Sequence, residues 1–367
     1  MIGANVSYKW VHALVLALLT HSVLCPSRVS ANPPELVIYA YDSFASPKGA
    51  GSKIVPLFEK QCGCTVRLLG CGNGGQLLTR LQLDEKRGKS DAHLVLGLDQ
   101  QTWLQAKHYT EPWGNWVPKG YPELLAESKV GEGFVPFDYG VFSLISDQAE
   151  LTRLKLGVPQ SLKDLLKPAY RRNVILEDPR TSTPGMAFLL LTHAVFGADF
   201  MAFWHSFKTQ WLTLTPGWDG AYGLFLRREA PLVWSYTTSQ AYHEEHGDIK
   251  GDGRRYRALL FQEGQPMQVE GAAMIRRSLR GGAPGAPLSA PNDEVERLSK
   301  AFLEFLISPE IQTLIAHTNW MLPVRVGVEL PESYRALPTA KKLLRLEKDS
   351  DELSQILGRW QREVEHP

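Results

Sequence analysis

Leu36-Val37-Ile38-Tyr39, Lys53 to Gln61 closing at Gly63, Thr65 to Leu69, Gln76 to Lys86 and His93 to Leu96 form the stretch that decides the fold. The first, third and fifth pieces are short apolar runs, the pattern of strands, while the second and fourth repeat apolar residues at helical spacing. This β-α-β-α-β order implies a mostly parallel sheet with helices on both faces, whose ligands sit at the carboxyl ends of strands. The loops after Tyr41 and Leu69 are therefore the first places to look for a site.

Working outward, Phe134-Val135-Pro136-Phe137-Asp138-Tyr139-Gly140 is dense in aromatic and backbone-restricting residues and reads as a crossing between two lobes, with a new strand over Val141 to Ser146. A second α/β pattern follows: strand Val174 to Glu177, helices Thr183 to Phe196, Phe200 to Trp211 and Ala221 to Arg227, and strand Leu232 to Ser235. Pro266-Met267-Gln268-Val269-Glu270 reads as the return crossing. Arg276 to Asn292, rich in Gly, Pro and Ala, has the composition of a surface insertion. Helices near Asp293 to Leu306 and Pro309 to Ala316 and a helical tail with charge pairs complete the chain. Two crossings divide it into one lobe of residues 32–137 plus 268–319 and another of 138–267 plus 320–367, the organisation of a hinge protein that closes over a ligand. Two domains in simple succession stay open on pattern alone.

The compartment is read from residues 1–31. Lys9 gives a positive n-region, Val11 to Leu19 is apolar, and Val29-Ser30-Ala31 has the small-residue spacing of a cleavage site, so a signal peptide ending before Asn32 is expected. As a membrane anchor the run falls short of the roughly 18 residues a span needs. Cys25 invites lipoprotein processing, but the preceding Leu24 is a poor fit to it. Forty Lys and Arg against thirty-nine Asp and Glu leave a net charge of +1, which gives no field to recruit nucleic acid or an anionic membrane. The partner is then small, and ten tryptophans supply planar surfaces for it as well as core. Cys62, Cys64 and Cys71 lie beyond the leader; an oxidising compartment permits a Cys62–Cys64 bridge across Gly63 and leaves Cys71 over. With His93 the only histidine nearby, a zinc site lacks ligands.

Three constellations carry possible chemistry. Gly70-Cys71-Gly72-Asn73-Gly74-Gly75 satisfies G-x-G-x-x-G, but it follows the second strand and Asp91 is poorly placed to hold a ribose, so no dinucleotide is expected. Its physical content survives: Asn73 and Gly74 expose backbone N–H groups at a helix N-terminus, where an anion is stabilised, although a plain tight turn explains the glycines equally well. In Asp178-Pro179-Arg180-Thr181-Ser182-Thr183-Pro184-Gly185, Pro184 suits a first helical turn and Ser182 or Thr183 its cap; the hydroxyls either cap or form a second anion site. Lastly, Trp218, Tyr236, Tyr242 and Trp320 stand beside turns and strand ends, where rings cover a flat cation more readily than they fill a core.

Tyr39-Ala40-Tyr41-Asp42-Ser43-Phe44, Val95 to Asp99, Phe134 to Gly140, Asp178 to Gly185, Gly217-Trp218 with Ala221 to Leu226, Ser235 to Ser239 with Ala241-Tyr242-His243, and Asn319-Trp320-Met321 with Pro323-Val324 together resemble, in order, the periplasmic thiamine-binding proteins of ABC importers. The resemblance implies an α/β, two-lobed type II periplasmic-binding fold, no catalysis and no cofactor, and thiamine, its monophosphate and its diphosphate as ligands. It also implies a periplasmic monomer that serves an inner-membrane permease. By motif, Tyr41, Trp218, Tyr236, Tyr242 and Trp320 wrap the rings, while Ser182 and the Asn73-Gly74 loop reach the phosphate end. Two departures stand out: Asn73 where relatives carry an acidic residue, and Lys48 where they often offer a tryptophan. Both would favour phosphorylated ligands. The rival readings are a thiaminase-like enzyme on the same fold, using Cys71 as nucleophile, and a ferric-ion carrier using Tyr236 and Tyr242.

Overall fold

The computed structural model describes residues 33–248, 253–280 and 290–365. The leader expected over 1–31 lies outside the described residues, as does most of the Gly/Pro/Ala-rich segment; its described start contains a 3-10 turn at Arg277–Leu279. The chain opens with β1 (Glu35–Ala40), α1 (Asp42–Ala45), α2 (Gly51–Cys62), β2 (Thr65–Gly70), α3 (Gly74–Arg87), β3 (Leu94–Asp99) and α4 (Gln100–Ala106). β1 pairs in parallel with both β2 and β3. Its residues alternate between two cores, Leu36, Ile38 and Ala40 on one face and Val37 and Tyr39 on the other, because successive strand side chains point to opposite faces. Just past α2, Cys62 and Cys64 are joined in a disulfide.

The middle of the chain forms β4 (Val135–Asp147), α5 (Gln148–Arg153), β5 (Val174–Glu177), α6 (Thr183–Phe196), α7 (Phe200–Phe207), β6 (Trp211–Thr215), α8 (Trp218–Leu226), β7 (Leu232–Tyr236), α9 (Thr238–Glu245), β8 (Tyr256–Leu259) and β9 (Gln265–Met274). Two of these differ from the sequence reading. β4 is one 13-residue strand rather than a crossing followed by a separate strand. Pro136 does not break it because the ladder to β9 is irregular between Pro136 and Asp138, where a strand tolerates a residue without an N–H. The helix expected over Phe200 to Trp211 ends at Phe207. Beyond it, Trp211-Leu212-Thr213-Leu214-Thr215 alternates with β-branched threonines and pairs in parallel with β5, as its two-residue period favours.

β4 pairs with β9 through its first half and with β7 and β8 through its second, and β9 pairs along its other edge with β3. The two strands lie side by side and carry the sheet from β2-β1-β3 to β7-β5-β6. Buried side chains from 36–137 and 267–324 form two clusters around the first group of strands, and those from 142–261 and 353–364 form two around the second.

The last part of the chain contributes α10 (Ala290–Leu306), α11 (Pro309–Thr318), β10 (Leu322–Pro323), β11 (Leu343–Leu344) and α12 (Ser350–Trp360). It finishes as a strap. β11 pairs with the start of β9; the Gln101 side chain of α4 then grips the Lys348 backbone, donating to its carbonyl at 2.9 Å and accepting from its N–H at 2.7 Å. α12 sinks Leu353, Ile356 and Trp360 into the core of the second group.

Candidate ligand-binding site

The residue after β1, Tyr41, packs closely against the backbone of β3 at Gly97. A Cβ on Gly97, whose φ is +96°, would sit 1.9 Å from a Tyr41 ring carbon, so this ring position requires glycine there. Asn319, following α11, donates its amide to the Tyr41 hydroxyl at 2.9 Å and to Asp138 Oδ2 at 2.6 Å. Burial, followed by the charges of Glu270 and Asp138, holds the Tyr41 phenol well above its ordinary value.

Trp218 opens α8, its indole N–H donating to Ser235 Oγ at 2.7 Å. Its ring stacks on Tyr222 at 4.8 Å between centroids, and His243 and Tyr256 continue the column at 5.9 and 3.8 Å. His243 Nε2 lies 2.9 Å from the Tyr222 hydroxyl, and burial lowers the imidazole to about 4, so the column is neutral near pH 7. Tyr236, at the end of β7, stacks on Phe142 at 4.7 Å and donates its hydroxyl to Gln268 Oε1 at 2.7 Å. Tyr242 on α9 meets Trp320 edge-on at 5.2 Å. Trp320 holds φ +54°, a left-handed conformation that costs an L-residue about 1–2 kcal/mol. Its neighbours fix it there: Asn319 through Tyr41 and Asp138, and Leu322–Pro323 by pairing with β4.

Two helix N-termini meet at another part of the wall. α3 starts at Gly74 and α6 at Thr183, and a Cβ on Gly74 would lie 2.8 Å from Thr183 Oγ1, so glycine permits the approach. Gln76 Oε1 caps the Asn73 N–H at 2.8 Å, and the Asn73 amide reaches Pro216 O at 3.4 Å. Ser182 is the N-cap of α6, with only a long 3.5 Å contact from the Gly185 N–H. The Thr183 hydroxyl, read from sequence as free to face an anion, instead donates to Asp99 Oδ2 at 2.5 Å; its backbone N–H is what remains for a ligand.

Tyr41, Asn73, Gly74, Ser182, Thr183, Trp218, Tyr236, Tyr242 and Trp320 all line one cavity of about 430 Å³. Sequence reasoning singled out neither Glu270 nor Asn319 for the site, and both line it too. Gln268 and Glu270 are polar residues two apart in a wholly buried strand, and that alternation was the available signal. Glu270 stands opposite Asp138 across the β4–β9 ladder. The geometry weighs against both rival readings. Cys71 is not among the lining residues; its thiol packs against the core that holds Val37 and Tyr39, lies 3.4 Å from the Leu69 carbonyl, and is raised by burial, the reverse of nucleophile activation. Tyr236, offered as an iron ligand, has its hydroxyl committed to Gln268 and its phenol raised well above the ordinary value by burial, which disfavours the phenolate that ferric ion needs.

Two α/β groups carried on paired central strands, with a ring-lined cavity built from both, define a protein that captures a small solute. Residues 100–271 accordingly match the family described as bacterial extracellular solute-binding protein. The chain is 36% identical over 339 residues to the thiamine-binding periplasmic protein of Brucella abortus biovar 1 (strain 9-941), covering 90% of this chain and 92% of that one. It is 38% identical over 324 residues to that of Escherichia coli (strain K12), covering 86% and 88%. A solved structure described as a periplasmic thiamin binding protein superposes with a TM-score of 0.76 at 36% identity, covering 90% of this chain and 96% of that one. The chain belongs to the family of periplasmic thiamine-binding proteins, and its fold is the two-lobed type II periplasmic-binding fold.

Proposed function

We propose that this chain is the periplasmic substrate-binding subunit of an ABC importer, which captures thiamine, thiamine monophosphate and thiamine diphosphate and delivers them unchanged, as a monomer, to an inner-membrane permease. The observation that carries the reading is the cavity itself. Five rings, Tyr41, Trp218, Tyr236, Tyr242 and Trp320, line a wall suited to a flat organic cation, each face-on contact contributing about 0.5–2 kcal/mol once water is excluded. Ser182, Asn73, Gly74 and the Thr183 N–H gather where two helices begin, an arrangement that favours an anionic tail. Lys48 lines the same cavity and adds a positive charge toward that tail.

On this reading the lobes are residues 32–137 plus 268–319 and 138–267 plus 320–367, residues 1–31 are removed on export, and closure over the ligand creates the surface the permease meets. Calorimetry with thiamine and its two phosphates tests it: tight binding of all three supports the carrier, and no heat with any of them refutes it. The ranking tests Lys48 and Asn73 together, and a Lys48 variant isolates the lysine. Diphosphate should bind more tightly than thiamine, and Lys48→Met should cost the diphosphate several-fold at low salt while leaving thiamine unchanged. Thiamine bound more tightly than its diphosphate would reject that role.

A further inference from the structure

Among the buried polar groups, one pair reaches the ligand cavity through Glu270 and lacks the partners its burial demands. Glu270 is 8% exposed and Asp138 fully buried, directly opposite one another on antiparallel strands. Like charges in that position are destabilising. Each carboxyl has one satisfied oxygen: Glu270 Oε1 accepts from the Gln268 amide at 2.5 Å and Asp138 Oδ2 from the Asn319 amide at 2.6 Å. Glu270 Oε2 and Asp138 Oδ1 have no hydrogen-bond partner among the described residues. Two buried carboxyls with one open oxygen apiece match a pair that carries a proton rather than two charges.

We propose that the Asp138–Glu270 pair is the charge-selecting floor of the cavity: Asp138 keeps its proton, and Glu270 releases its own to solvent when an organic cation docks, so that the site admits a cation and penalises a neutral molecule of the same shape. The inference rests on the reading that the ligand is thiamine. The step balances, with a neutral carboxyl and a cation giving a carboxylate–cation pair and one free proton. Burial, then the charge on Glu270, raises Asp138 well above the carboxylate range; Glu270, pushed up by burial to about 7, is the member that titrates near neutrality. The groups facing it are Tyr41 after β1, Asp99 at the end of β3, Asp138 on β4 and Gln268 on its own strand, with Tyr236 on β7 and Asn319 after α11 also lining the cavity. Asp99 opposes ionisation of Glu270, whereas the nearby Tyr41 and Asp138 side chains and the Gln268 amide, which donates to Oε1, favour it. Lys48 is the basic side chain among the lining residues.

The test is calorimetry of thiamine binding to the full chain in buffers of differing ionisation heat, at about pH 6 and about pH 8, with deazathiamine as the neutral isostere carrying the same aminopyrimidine. The expected result is release of on the order of one proton per thiamine near pH 6 and almost none near pH 8. Affinity should tighten about tenfold per pH unit up to about 7 and level off above it. Deazathiamine should bind more weakly and release no proton, and Glu270→Gln should abolish both the release and the pH slope for thiamine. Absence of proton release from the wild-type protein at both pH values, or an identical pH profile for the neutral isostere, overturns the inference while leaving the thiamine reading intact. Failure of thiamine to bind at any pH overturns that reading instead. The wild-type proton count decides the matter even if the glutamine variant does not fold.

Discussion

Replacing Trp320 isolates what the cavity rings contribute, because its backbone is strained and its ring stands at the cavity wall. In Trp320→Ala, a docked thiazolium loses contact with roughly 60–80 Å² of indole face, worth about 1.5–2 kcal/mol at ~25 cal/mol per Å². The lost attraction between cation and ring adds about 0.5–1 kcal/mol. The sum, about 2–3 kcal/mol, corresponds to roughly 30- to 150-fold weaker thiamine binding, read by calorimetry at one pH and salt concentration. Trp320→Gly should lose affinity to a similar extent. Its ligand-free form should nevertheless be about 0.5–1 kcal/mol more stable than the alanine variant in urea, since glycine adopts φ +54° without the Cβ penalty. The comparison separates the ring's work from the strain it imposes. An alanine variant that binds thiamine within about twofold of wild type would refute the reasoning, because the ring would then not touch the ligand.

The two helix starts make a selective prediction: Gly74→Ala, whose methyl meets Thr183 Oγ1, and Ser182→Ala should each weaken thiamine diphosphate by about tenfold or more while leaving thiamine near wild type, measured by competition between the two ligands. Glu270, raised from 4.5 to about 7 in the folded protein, binds more protons folded than unfolded. Its contribution is therefore fully present below about pH 4.5 and lost as pH rises through about 7. Urea titrations should show Glu270→Gln gaining up to about 3 kcal/mol on the wild type between those limits. His243 has the opposite sign. Lowered from 6.5 to about 4 by burial, it stabilises the fold above about pH 6.5 and loses that stabilisation as pH falls through about 4; His243→Gln should flatten the melting temperature over that interval.

The alternation of apolar strands and amphipathic helices from Leu36 to Leu96 was legible because both faces of those strands are buried and the two periods differ. The expected helix over Phe200 to Trp211 ran into Trp211–Thr215, a short run whose two-residue period fits the strand that pairs with β5 but is too brief to stand out beside an apolar helix. The pattern also misled at Pro136, where proline suggested an interruption and a local irregularity in the ladder absorbed it instead. Cavity-lining residues beside turns were accessible from sequence: Tyr41, Trp218, Tyr236 and Trp320 stand at element ends, and the helix-capping patterns marked Asn73 and Ser182. Glu270, Asp138 and Asn319 were not. Their juxtaposition comes from pairing and contact between segments distant in sequence, a relation that chain order does not contain. Cys71 shows the converse error, since proximity in sequence to the Asn73 loop does not fix which way a side chain points.

The grip of Gln101 on Lys348 gives the final strap a mechanical role beyond covering core. A single side-chain amide holds both the backbone donor and the backbone acceptor of one residue, so pulling the strap away breaks two hydrogen bonds at once. β11 and α12 on either side tie that residue to the second crossing strand and to the neighbouring core. Any rotation that separates α4 from the core beneath α12 must first unfasten this clasp, because both of its hydrogen bonds run between them.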